Sequence, residues 1–130
     1  MLGVGIIASK ADNTQVVWAL REGSTGEMLL DYAQAIKLAL SKAMEQHWQA
    51  VKLEISSHKL QHLLKTKKTM DVRLFAQMED IHTLRLLFLK CSFILSSNES
   101  SIRSRMISNY AVCLTQDEEC WFPPCLSTCL

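Results

Sequence analysis

Residues 29–55, LLDYAQAIKLALSKAMEQHWQAVKLEI, decide the fold because the hydrophobic period changes within them. The first part repeats apolar residues at spacings of four, three, four and three, which is typical of one face of an α-helix. These residues are Leu29, Ala33, Ile36, Leu40 and Ala43. At the end of the stretch Val51, Leu53 and Ile55 alternate with charged residues, as in a half-buried strand. A long amphipathic helix that runs into a strand predicts an α/β or α+β domain.

The residues before this stretch predict a hairpin and a helix start. Two β-rich runs, residues 4–7 and 16–20, flank the turn-forming pair Asp12-Asn13. Ser24 stands three residues before Glu27, which is the spacing of a capping box. The long helix is therefore expected to start at residue 25 or 26 and to end by residue 47 or 48.

The residues after this stretch predict two more helices, a strand and a final helix. Ser56 and Ser57 can cap a short helix, and Asp71 begins a second long helix. Residues 92–95 are expected to form a strand and residues 107–114 a helix, after which residues 121–124 end regular structure. The predicted order is β-β-α-β-α-α-β-α.

Composition limits the class of protein. The chain has 130 residues, 48% of them hydrophobic, which is enough for one domain with a sizeable core. Its formal net charge is +1, so any nucleic-acid or membrane binding must come from a local patch. No signal peptide and no run of roughly 20 apolar residues is present, which predicts a soluble intracellular protein, nuclear or cytoplasmic, without a membrane partner. The five cysteines form no C-x-x-C pair and are expected to be reduced thiols.

The order of these segments resembles a known family. Five stretches match the plant-type ribonuclease H-like domain of retroelement-derived proteins: a glycine-containing strand, an alanine-rich helix, a strand that ends in serines, a late helix, and a tail with Trp, Pro and Leu. They are residues 2–7 (LGVGII), 31–40 (DYAQAIKLAL), 51–57 (VKLEISS), 106–112 (MISNYAV) and 121–126 (WFPPCL). The resemblance implies an α/β ribonuclease H-like fold, a mixed sheet with flanking helices, here lacking its first strand.

The resemblance also implies a two-metal chemistry whose ligands this sequence does not supply. In the family a cluster of Asp and Glu holds two Mg²⁺ ions that hydrolyse the RNA strand of an RNA–DNA hybrid. The helix Glu falls here on Tyr32, the strand-end Asp on Ser56, and the late Asp on Asn109. The first Asp belongs to a family strand with no counterpart in these residues. We therefore expect no Mg²⁺, no other cofactor and a catalytically degenerate domain.

Other residues offer no convincing replacement. Asp31 lies about 100° from Tyr32 around a helix, and Glu54 points to the strand face opposite Ile55. His58 and His62, four residues apart, could both contact one metal, but no third ligand accompanies them.

Three functions remain open. The first is a degenerate ribonuclease H-like domain that contacts nucleic acid, such as an RNA–DNA hybrid, through basic residues. These are Lys65, Lys67, Lys68, Arg103 and Arg105. The second is an active hybrid ribonuclease with unusual ligands, and the third is an interaction module or retroelement remnant. Without the first strand, two strand edges would be open, and self-association through them is expected.

Overall fold

The computed structural model describes residues 2–9, 14–55, 57–66, 71–95, 106 and 118–122. These residues include five strands and three helices. In chain order these are β1 (Leu2–Ser9), β2 (Gln15–Glu22), α1 (Met28–Glu45), β3 (Ala50–Ile55), α2 (His58–Thr66), α3 (Val72–Arg85), β4 (Lys90–Leu95) and β5 (Glu118–Phe122). Seven of these elements were expected from the sequence. The expected helix at residues 107–114 lies outside the described residues.

One sheet has the strand order β1-β2-β5 and is antiparallel throughout. Its central strand, β2, is buried along Val16–Leu20 without alternation, because it has a strand on each side and both of its faces are covered. The indole N–H of Trp18, a residue only 1% exposed, donates to the Glu119 carboxylate at 2.6 Å. This bond joins β2 to β5.

β5 was not expected, because residues 121 and 122 were predicted to end regular structure. The register sets Trp121 opposite Val16 and Glu119 opposite Trp18. Strand pairing therefore continues through Phe122.

The second sheet is the parallel pair β3-β4. Residues of this sheet and of α1, α2 and α3 form one apolar core. The buried core residues are Leu30, Ala33, Ile36, Leu40, Ala43, Ile55, Leu60, Leu64, Leu74, Met78, Ile81, Phe88 and Cys91. Burial raises the pKa of the Cys91 thiol. Arg85 lies with its guanidinium 5.1 Å from the centre of the Phe93 ring and donates to the Cys91 carbonyl. This core follows the apolar stripes expected from the sequence.

α1 starts later than expected, and its N-cap is Glu27, not the Ser24 of the predicted capping box. The helix begins at Met28, and the N-cap residue Glu27 makes no side-chain cap bond. Asp31 instead reaches back from the first turn, and its carboxylate accepts from the backbone N–H and the hydroxyl of Thr25, both at 2.9 Å. Gly26, at φ +80°, makes the turn that allows this.

Polar contacts join α1 to α3, which run in the same direction. Glu27, at the start of α1, pairs with Arg73 in the first turn of α3. Farther along both helices the Lys37 ammonium lies 3.0 Å from Asp80 and 3.0 Å from the Gln77 side-chain oxygen. These contacts fix the lengthwise register of the two helices.

Residue contacts divide the chain into two compact units, one with β1, β2 and β5, the other with the remaining elements. The expectation of a single domain stays a prediction. No helix among the described residues is both long enough and apolar enough to cross a membrane.

Candidate functional site

Of the three positions at which the resemblance implies a lost metal ligand, Tyr32 is the one that lies within the described residues. It stands in the second turn of α1 and is 39% exposed. A neutral phenol is a poor ligand for Mg²⁺, which prefers carboxylate oxygens and water. Ser56 and Asn109 lie outside the described residues, so the placement of the three positions relative to each other stays a prediction.

Asp31 and Glu54 do not assemble a metal centre. The Asp31 carboxylate is engaged by Thr25 at the start of α1. Glu54 is exposed on β3, on the face opposite the buried Ile55. Across the described parts of the chain, no three His, Cys, Asp or Glu side chains come close enough to hold an ion. This holds for His58 and His62 as well, so the residues described do not fit a two-metal site.

Among the described helices, α2 is the one whose sequence contains basic residues and no acidic residue. Leu60 and Leu64 are buried in the core, whereas His58, Lys59, His62 and Lys65 are exposed. The helix sequence HKLQHLLKT contains no acidic residue. We call the four exposed residues His58, Lys59, His62 and Lys65 the basic face of α2.

Helical geometry brings this basic face together. His58, His62 and Lys65 follow the spacing i, i+4, i+7 and therefore form one stripe, with Lys59 about 100° to one side. The helix start is fixed by Ser57, whose hydroxyl accepts from the Leu60 N–H at 3.1 Å, as predicted for a cap. The stripe is thus presented by a capped helix with a buried apolar side.

The lysines of the basic face remain available to an external anion. Among the described residues, the ion pairs involve Lys37, Lys42 and Arg73, and neither Lys59 nor Lys65 takes part. The pKa of Arg73 is raised by its hydrogen bond to Glu27, so this cation is charged but already matched by a carboxylate. α2 therefore differs from α1 and α3, whose cations are largely paired within the protein.

The sequence had identified only part of this surface. Lys65 was expected and lies in the last turn of α2, whereas Lys67, Lys68, Arg103 and Arg105 lie outside the described residues. Lys59 is not among the expected residues, which were chosen from the basic cluster at the end of the helix and from a later loop. Residues 58–66 contain no Asp or Glu, and this feature of the sequence could have identified Lys59.

Two solved structures resemble the chain. Ribonuclease H1 from the halophilic archaeon Halobacterium salinarum NRC-1 superposes with a TM-score of 0.62 at 16% identity, covering 83% of this chain and 93% of that one. The N-terminal ribonuclease H domain of a Mycobacterium tuberculosis protein, solved as a fusion with maltose-binding protein, gives 0.59 at 8% identity, with coverages of 83% and 95%. No family model and no curated protein matches the sequence. These likenesses confirm the α/β ribonuclease H-like fold.

Proposed function

We propose that this chain is a ribonuclease H-like nucleic-acid-binding domain that does not hydrolyse RNA–DNA hybrids. The observation that carries the proposal is the basic face of α2, an exposed and acid-free helical surface whose lysines make no ion pair with the described residues. A phosphate backbone is the ligand that such a surface fits, because it offers a row of negative charges that exposed ammonium groups can neutralise.

The fold supports the choice of nucleic acid over other polyanions. Both structural neighbours are ribonuclease H domains, one of them a ribonuclease H1. An RNA–DNA hybrid is therefore the first ligand to test. Since the basic face supplies few charges, we expect the weak affinity of sequence-independent binding, with a dissociation constant of about 1–100 μM at physiological salt.

The catalytic part of the proposal follows from ligand chemistry. Tyr32 replaces a carboxylate with a phenol, and Ser56 and Asn109 replace two more with neutral side chains. Two Mg²⁺ ions close together need several anionic oxygens to offset their mutual repulsion. The proposal includes the plant-type, retroelement-derived affiliation. Its support is the order of the five matching stretches.

The test of binding is a salt titration with a matched control. The affinity of the chain for a fluorescent RNA–DNA hybrid is measured at several salt concentrations, and again for the double variant Lys59→Gln/Lys65→Gln. Removing two phosphate contacts should weaken binding and lower the slope of log K against log salt by about 2.

The control is the double variant Lys52→Gln/Lys90→Gln. It removes the same charge from exposed positions on β3 and β4, on the face opposite the core residues Val51 and Cys91. The control should keep most of the affinity and the slope. Equal losses in both double variants would mean that only net charge matters and would refute the role of α2.

The alternative is a non-enzymatic interaction module that contacts other proteins. A chain that does not bind the hybrid at low salt, where phosphate contacts are strongest, would favour this function.

A further inference from the structure

The edges of the two sheets are not equally protected. Edge strands expose unpaired backbone N–H and C=O groups, and proteins commonly place charges there to prevent pairing with other chains. Among the described strands, β5 carries Glu118 and Glu119, β3 carries Lys52 and Glu54, and β4 carries Lys90. β1, with the sequence LGVGIIAS, has no charged residue.

β1 also lacks the other usual protections of an edge. It is 8 residues long, contains no proline, and pairs with β2 in an unbroken register from Leu2 opposite Glu22 to Ser9 opposite Gln15. An unbroken register means that no bulge twists the edge away. Alternate residues of β1 therefore direct their backbone groups away from β2, and no other described strand pairs with them.

We propose that β1 is a self-association edge that pairs antiparallel with β1 of a second copy of this chain. Two sheets of order β1-β2-β5 then become one continuous sheet of two copies. Pairing across a twofold axis at Gly5 sets Val4 opposite Ile6 and Gly3 opposite Ile7. No charge opposes another in this register, and the partly exposed Ile6 and Ile7 gain cover.

The geometry of this proposed sheet limits association to two copies. A twofold contact uses the same strand from both chains, so both β1 edges are consumed when the dimer forms. The outer edge is then β5 in each copy, with Glu118 and Glu119. Two such edges would bring like charges together, which disfavours growth into longer sheets.

The contact is small, and this sets the expected strength. A single strand pair buries less than the roughly 1,200 Å² at the lower end of stable interfaces. We therefore expect a concentration-dependent equilibrium, with monomer at low concentration and a doubled mass at high concentration. This association does not depend on nucleic acid.

The experiment is sedimentation equilibrium of the full chain over a wide concentration range, with charge variants at the twofold axis. Gly5→Lys and Gly5→Glu each place like charges opposite one another, so each variant should stay monomeric. Their equimolar mixture places opposite charges across the axis and should recover the dimer. Ser9→Lys, at the exposed end of β1, is the matched control and should dimerise as the unaltered chain does.

Circular dichroism and thermal unfolding establish that each variant is folded. If the Gly5 variants do not fold, Ile7→Lys is used instead to place a charge on β1. A chain that stays monomeric at all concentrations overturns the proposal. So does a dimer that persists in the folded Gly5 variants. The double variant Leu86→Gln/Leu89→Gln removes two leucines that are each 83% exposed. If the dimer is lost in this variant instead, the interface lies at the α3–β4 turn, and the proposal is overturned.

Discussion

At the scale of single residues, His47 is the one non-glycine position with positive φ in the part of the chain that the structure describes. It follows α1 with φ at +60°, in the left-handed region. Its N–H donates to the Met44 carbonyl at 2.9 Å and the Trp48 N–H to the Ala43 carbonyl at 3.2 Å. This pair of bonds is a Schellman motif, in which glycine is the usual residue at the left-handed position. Histidine is more tolerant of that region than most residues but still strained there.

Replacing His47 with glycine should therefore stabilise the protein. The exposed imidazole loses little packing, and relief of backbone strain exceeds the added entropy of the unfolded chain. We expect the free energy of unfolding, measured in urea, to rise by about 0.5–1 kcal/mol for His47→Gly.

Gln46→Gly is the control for this substitution, because residue 46 has φ −83° and gains no relief. It should lower the free energy of unfolding by about 0.5–1 kcal/mol. Equal effects of the two substitutions would contradict a strained His47.

At the scale of elements, the start of α3 depends on one carboxylate. Asp71 precedes the helix, and its side chain accepts from the backbone N–H of Arg73 at 2.9 Å and of Leu74 at 3.3 Å. Without it, donors in the first turn would lose their partner. The helix that this turn begins places Leu74 and Ile81 in the core.

Asp71→Ala should lower the free energy of unfolding by about 1 kcal/mol. The denaturation midpoint should move while the slope m stays the same, because the folded state keeps its compactness. Asp71→Ser keeps an acceptor at this position and should recover most of the loss. If serine and alanine destabilise equally, the cap bonds are not what Asp71 contributes.

How far the sequence predicts these elements depends on the range of the interactions involved. α3 was predicted because its apolar residues recur locally from Leu74 to Phe88, and β3 because Val51, Leu53 and Ile55 alternate locally. β5 was missed because its pairing depends on Trp18 and Glu119, which are 101 residues apart.

The same limit applies to the start of α1 and to the candidate site. Glu27, expected in a capping box, pairs instead with Arg73, 46 residues away. Tyr32 and Lys65 were identifiable from motif order and local charge. That Lys59 and Lys65 pair with no carboxylate of the described residues depends on packing, which the order of residues does not show.

At the scale of the whole molecule, the proposed function requires that nucleic-acid binding and cleavage be separable. We expect the purified chain to leave an RNA–DNA hybrid intact in Mg²⁺ under conditions in which an active ribonuclease H cleaves it. The triple variant Tyr32→Glu, Ser56→Asp and Asn109→Asp should show little activity as well. It restores three carboxylates, but among residues 1–130 no match to the fourth carboxylate implied by the resemblance was found.

Cleavage is measured on a labelled hybrid by gel electrophoresis, with and without a chelator. Cleavage by the unaltered chain that requires Mg²⁺ and stops on chelation would contradict the degenerate assignment. Strong activity of the triple variant would show that the first-strand ligand is dispensable.

The separation of β2 from β5 along the chain also bears on the order of folding. Residues 25–95, which contain the three described helices and the β3-β4 pair, are contiguous and are synthesised before Glu118. Their core includes no residue of β1, β2 or β5, whereas the sheet β1-β2-β5 must wait for its last strand. Closing so long a loop is entropically costly, and contacts of high sequence separation form slowly. During that interval β2, with the apolar run Val16–Leu20, has one unpaired edge, and a nascent chain paused there is the form most exposed to aggregation.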